Sequence, residues 1–213
     1  MVDSNLADWY ATLPPEWKHR TIGIVNEIPA VEDLAVTEKW PGEQHVYNDV
    51  PLASIVNDYR VCRIFCRRVI MACIKWLGIG GHVDDAGEYD QSVYVIQQMV
   101  DDVSACVPFH LDYELQVVAK EMGQEQNGKI SQCGRCTAAK DVADLFSIAA
   151  EAFGGYSLVW PLYVAANAET VPQAQRDWLF GRLSVIGTKF GLSSAQVLVL
   201  ARRHILTCGP MFP

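Results

Sequence analysis

Residues 154–196 read GGYSLVWPLYVAANAETVPQAQRDWLFGRLSVIGTKFGLSSAQ, and they decide the fold class. Thr170-Val171-Pro172-Gln173 has the form of a capping box, a hydroxyl followed three residues later by Gln, with Pro in the first turn. Ser193-Ser194-Ala195-Gln196 repeats the device. Between them Leu179, Leu183, Ile186 and Phe190 recur at helical spacing and mark one apolar face. Gly191 stands where a left-handed C-terminal cap belongs. The stretch predicts helices, apolar along one side, joined at sharp corners.

The same periodicity extends toward the N-terminus. Asp49 and Pro51 open a long helix over 51–77, with Leu52, Ile55, Val56, Tyr59, Cys62, Cys66, Val69, Ile70, Cys73, Trp76 and Leu77 along its stripe and Ile64, Phe65 and Met71 on its flanks. Gly78 and Gly80-Gly81 end it. A second helix spans 88–107, striped by Val93, Ile96, Val100, Val103 and Val107, and Pro108 stops it. A third spans 141–153, with Val142, Leu145, Phe146 and Ala149 facing inward, and Gly154-Gly155 breaks it. The chain around Trp160 bends or restarts at Pro161. Asn5 to Leu13 is a short helix stopped by Pro14-Pro15. Residues 18–47 carry no sustained period and form a long connection, unusual in a compact domain. Residues 111–138 are ambiguous, with a turn at Asn127-Gly128.

Strand signals are nearly absent. The fold expected is all-α, an irregular array of about six to eight helices around the long 51–77 helix. One domain covers 1–213. Its opening helix and connection occupy 1–47 and its helical core 48–213, with a mobile loop near 124–138.

Composition narrows the function. The net charge is -8 and the isoelectric point near 5.0, a balance that repels phosphate backbones, so no direct nucleic-acid contact is expected. Hydrophobic residues make up 50% of the chain, which favours apolar surface covered by something else. The opening Met1-Val-Asp-Ser4 is no secretory signal. No apolar run reaches the length of about 18 residues that a bilayer demands. The 7 cysteines are an odd number; Cys62, Cys66, Cys73 and Cys106 sit among apolar helical residues as small hydrophobes. A reducing, intracellular compartment is expected.

Chemistry-bearing motifs are incomplete. Cys133-Gly-Arg-Cys136 has the spacing of half a zinc site, without a second pair, and reads as a surface loop. Asp84-Asp85-Ala-Gly-Glu88 matches the DDxxE pattern by which helical terpene synthases hold magnesium. It lacks the second metal motif, and acids are favoured at a helix start in any case. His19, His45, His82, His110 and His204 include no i, i+4 pair. His110-Leu-Asp112 has no nucleophile elbow beside it. Arg60, Arg63, Arg67 and Arg68 line one side of the long helix and are expected to pair with carboxylates such as Asp101 and Asp102. Tyr156, Trp160, Tyr163 and Trp178 read as core. No catalytic residue, no metal ligand and no cofactor is therefore assigned.

The motifs also carry a resemblance. Trp160-Pro-Leu-Tyr163, Gln175-Arg-Asp-Trp178, Ile186-Gly187 and Gly191 resemble the C-terminal end of the fungal-specific transcription factor domain, the regulatory region that follows the zinc binuclear cluster in many fungal regulators. Leu6-Ala-Asp-Trp9 with Leu13-Pro-Pro-Glu-Trp17 is similar to its opening segment. Tyr59-Arg60 with Arg63-Ile-Phe65 is similar to its long central helix, and Ser104-Ala-Cys-Val-Pro-Phe109 to the helix end before its middle loop. The resemblance implies a nuclear, non-enzymatic transcription regulator that senses an effector or contacts other regulators, self-association included. Zinc is expected only in a DNA-binding segment upstream of Met1, which this sequence lacks. An inter-helix groove near Trp160 and the 51–77 helix is the expected place for a partner or metabolite. The rival class is a small helical metal-dependent enzyme using Asp84, Asp85 and Glu88.

Overall fold

The computed structural model describes residues 2–77, 83–126 and 140–201. Its helices are α1 (Val2–Thr12), α2 (Val50–Leu77), α3 (Val83–Leu111), α4 (Tyr113–Gln126), α5 (Lys140–Ala166), α6 (Gln173–Lys189) and α7 (Ser193–Ala201). The fold is all-α with one small addition. Two antiparallel strands, β1 (Arg20–Val25) and β2 (Gly42–Val46), form a hairpin inside the segment expected to be a featureless connection. β1 is interrupted by Gly23 and β2 has one apolar residue, Val46, so neither carries a strong strand pattern, and the pair is held by its packing on the helices. Cys133, Cys136, His82, His204 and the glycines after Leu77 lie outside the described residues, as does most of the loop expected near 124–138.

Helix α3 packs against α2, α5, α4 and β2, and α5 packs against α3, α6, α2, α4 and α7. The core lies where they meet. Ile96, Val100, Val103 and Val107 of α3 face Leu158, Leu162 and Tyr163 of α5, all fully buried. Trp178, Leu179, Leu183 and Ile186 of α6 close the same core, and the Trp178 indole donates to the Thr37 carbonyl at 2.8 Å. Fully burying each large apolar side chain contributes about 1.5–3 kcal/mol.

Several boundaries differ from the sequence expectation, each for a packing reason. Helix α3 does not stop before Pro108 but runs through it to Leu111. Burial of Val107, Phe109 and His110 holds the turn that Pro108 deprives of a donor, and the Asp112 amide picks up the Pro108 carbonyl at 3.0 Å. Helix α5 is not broken at Gly154-Gly155, nor at Pro161. Gly154 is instead the point at which α5 crosses α3: a Cβ there would stand 1.9 Å from the His110 carbonyl oxygen. The expected capping box at Thr170 does not form. Helix α6 starts at Gln173 after Pro172 with no side-chain cap, and the Thr170 hydroxyl is buried without a partner. Gly191 does adopt the left-handed conformation expected of it, at φ +67°, between the end of α6 at Phe190 and the start of α7.

The phase of α2 is also rotated. Ile64 and Met71, read from sequence as flanks, are core residues, whereas Val69, Trp76 and Leu77 are exposed. Cys62 and Cys73 are exposed too, and Cys106 alone of the four helical cysteines is fully buried. On α5, Leu145 and Phe146 face outward at 66% and 65% exposure, contrary to the inward face expected of 141–153. Ala149 is likewise exposed.

The arginine row behaves largely as expected. Arg60 is buried and lies 3.6 Å from Asp102, while donating to Tyr47 Oη and Asn57 Oδ1, both at 2.7 Å. Arg63 and Arg67 converge on Asp3 of α1, at 2.9 Å and 2.6 Å. Asp3, which the sequence did not single out, is 2% exposed and pins α1 to α2. Asp101 is not an arginine partner here; its Oδ1 accepts from Gln97 and Gln175.

Candidate functional site

The hairpin positions the chemistry. Thr21 pairs with His45 and Arg20 with Val46, and a bulge between Thr21 and Gly23 resets the register. Residues two apart on a strand share a face. Glu43 and His45 therefore project to one side of β2, and Thr21 and His19 project to the same side of the facing segment. The His19 and His45 rings stack with centroids 3.7 Å apart. Glu43 Oε2 lies 3.0 Å from His45 Nε2 and accepts from the Thr21 hydroxyl at 2.9 Å. His19 Nδ1 lies 3.4 Å from the Tyr10 hydroxyl. One donor atom from each of His19, Glu43 and His45 falls within 4.8 Å of the others.

Electrostatics keep both rings neutral near physiological pH. Burial, then His45 and Arg60, pull His19 down to about 4. Burial lowers His45 more than its bond to Glu43 raises it. Glu43 is held below its usual range by its hydrogen bonds to His45 and Thr21. The sequence reading missed this cluster because it tested histidines at helical spacing and His110 against Asp112, not across a hairpin. The usable signal was Glu43-Gln-His45, alternating on a strand, once the hairpin is known.

Next to the cluster a groove of about 520 Å³ runs between the hairpin and helices α3, α4, α5 and α6. Its apolar wall includes Ile24, Pro108, Leu115, Val185 and Phe190, and a Lys189–Glu151 ion pair at 2.8 Å spans its rim. Three residues on its wall, Gln44, His45 and Arg182, each hold a buried polar atom without a hydrogen-bond partner: Oε1, Nδ1 and Nε. Arg182 is 3% exposed and donates through Nη2 to the Ala35 carbonyl. Burial lowers its pKa, against the pull of Glu38. A buried guanidinium with part of its fork unused is costly in isolation and suits a site built to receive an acceptor. The volume is in the range of small-molecule pockets. This groove lies away from Trp160 and the 51–77 helix. Trp160 instead packs on Phe65 and Tyr163, and α2 contributes nothing to the wall.

The other sequence candidates separate. His110 and Asp112 do not pair. His110 is buried with Nδ1 2.9 Å from the Cys106 carbonyl, and Asp112 is exposed and caps α4 through the Leu115 amide. Of the DDxxE run, Glu88 is bound to Arg67 at 2.7 Å; the side chains of Asp84 and Asp85 lie outside the described residues. Tyr163 and Trp178 are core, while Tyr156 and Trp160 are exposed at 64% and 41%. No described helix is long and apolar enough to cross a membrane.

An all-α fold with a small hairpin, a polar-edged groove and, among the described residues, no helix suited to a bilayer is the class defined so far. Comparison with known proteins adds one relative. The chain is similar to part of a fungal protein named Transcription factor dbaG, from Emericella nidulans, at 26% identity over 175 residues. The match covers 81% of this chain and 36% of that protein, so the chain spans about a third of its relative's length. No family model matches the chain, and no solved structure matches it.

Proposed function

We propose that this chain is the regulatory region of a fungal transcription factor, acting by binding rather than by bond chemistry, and that the groove beneath the hairpin receives a small amphipathic effector. The observation that carries the regulatory reading is the similarity to a fungal transcription factor over most of the chain. The groove supports the effector reading. An apolar body fits against Ile24, Leu115 and Phe190, and an acceptor group satisfies Arg182 Nε. Occupancy would favour the arrangement of hairpin and α6 that holds the ligand, and that population shift is the signal passed to neighbouring regulators. The net charge of -8 leaves DNA contact to another segment or subunit. Action is then in the nucleus.

The test is a fusion to an unrelated DNA-binding domain, read on a reporter carrying its operator. The expected outcome is activation or repression relative to the DNA-binding domain alone. Leu115→Trp, which fills the groove, fixes that output regardless of growth condition. A fusion without any effect on the reporter sinks the regulatory reading, and an unaltered response in the Leu115→Trp fusion sinks the effector site.

A further inference from the structure

The face of the hairpin that carries His19, Glu43 and His45 offers two imidazole nitrogens and a carboxylate oxygen, and we infer that it is a binding site for a divalent transition ion of the zinc class. The argument is geometric and does not rest on the regulatory reading. Two histidines and one carboxylate are a donor set that zinc takes. Here they come from two strand positions and the residue leading into the facing strand, all directed to one side by the period of two. Their donor atoms lie within 4.8 Å of one another. Donors bonded tetrahedrally at about 2.0–2.1 Å stand roughly 3.3 Å apart, so the widest pair closes by at most about 1.5 Å. A pivot of the two stacked rings supplies that movement, because the hydrogen bond that holds His19, to Tyr10, is long at 3.4 Å.

The surroundings have the form of an outer shell. Tyr10 stands at the other nitrogen side of His19, and the Thr21 hydroxyl holds Glu43; such contacts orient ligands toward a metal. His45 Nε2 faces Glu43 at 3.0 Å, and Nδ1, buried and unpartnered, would carry the ring's proton once Nε2 is on the ion. Arg60 is near enough for its charge to act on both rings, and that charge is shared with Asp102 at 3.6 Å. Three protein ligands leave one position open. His45 also lines the groove, so the open position lies at the groove's rim, where a donor atom of a bound molecule or of a partner completes the coordination.

The experiment is calorimetric titration of the untagged full chain with Zn²⁺, paired with absorption spectra on Co²⁺ loading. Because Cys133 and Cys136 are a second source of zinc ligands, the titration is repeated on the Cys133→Ser, Cys136→Ser double variant. The expected result is one bound Zn²⁺ in both proteins and a Co²⁺ spectrum free of thiolate charge-transfer bands. Glu43→Gln and His19→Gln each weaken binding by about tenfold or more. Glu43 is an exposed side chain, 55% accessible, so its variant folds and keeps the test meaningful; circular dichroism checks this. No binding at millimolar Zn²⁺, loss of binding in the double cysteine variant, or unchanged affinity in both Glu43→Gln and His19→Gln overturns the site.

Discussion

Gly154→Ala is the perturbation that most directly tests the packing of α5 on α3. Read from sequence, Gly154-Gly155 ends a helix, and alanine there would do little or lengthen the helix. In the structure Gly154 lies inside α5, and an added Cβ meets the His110 carbonyl oxygen at 1.9 Å, with the carbonyl carbon at 2.8 Å. Backbone cannot swing aside as a side chain can, so the two helices must separate by about 1.3 Å to restore a normal contact of roughly 3.2 Å. That separation loosens the layer formed by Val107, Phe109, Leu158 and Leu162, all fully buried. Overpacking of this kind costs about 1–3 kcal/mol and sometimes more, while replacing an interior helix glycine by alanine returns about 1 kcal/mol. Because the clash is with backbone, the upper end applies, and a net loss of about 2 kcal/mol is expected. With a urea m-value of about 2 kcal/mol per molar the midpoint falls by roughly 1 M. Gly155→Ala is the control. Its Cβ would meet the edge of the Phe190 ring at 2.7 Å, a half-buried side chain that can turn, so its midpoint stays within about 0.3 M of the parent. Urea unfolding followed by far-ultraviolet circular dichroism measures both. A Gly154→Ala protein as stable as the parent, or more so, refutes the close crossing.

Asp3 is held below the usual carboxylate range: burial pushes it up, but the Arg63 and Arg67 guanidinium groups outweigh burial. Its folded pKa is depressed, so its contribution is full above the unfolded value of about 3.8 and is lost as pH falls through the folded pKa; Asp3→Asn therefore loses about 1–3 kcal/mol at pH 7 and converges on the parent below pH 4 in thermal or urea unfolding. His110 is lowered to about 4 by burial, so stability is full above about pH 6.5 and declines as pH falls from there to 4; proton–carbon NMR should find its ring neutral down to about pH 5. The slope of unfolding free energy over that window should drop by about 1.4 kcal/mol per pH unit in His110→Gln. Leu145→Ser, Phe146→Ser should lower hydrophobic-dye fluorescence while changing unfolding free energy by less than about 0.5 kcal/mol, because both side chains are already about two-thirds exposed; a larger loss returns them to the interior.

The sequence by itself determined the fold class, the acidic charge and most of the helices, α4 excepted. Those follow from local causes: the 3.6-residue spacing in Leu179, Leu183 and Ile186, the left-handed turn at Gly191, and the stripe Ile96, Val100, Val103 and Val107. It also foresaw carboxylate partners for the arginine row, Asp102 among them, but not Asp3. Where helices end was decided by tertiary contact. Pro108 and Gly154-Gly155 are stop signals in isolation, yet α3 and α5 continue through them because breaking either would expose Phe109, His110 or Leu158. Which face of α2 is buried was decided the same way, by what packs on it, and a broadly apolar helix leaves that choice open. The cluster His19, Glu43 and His45 was not legible, since 24 positions separate Glu43 from His19 and only the hairpin register puts them side by side. The groove belongs wholly to the tertiary structure, because its walls are drawn from six elements that meet through the chain's long-range packing.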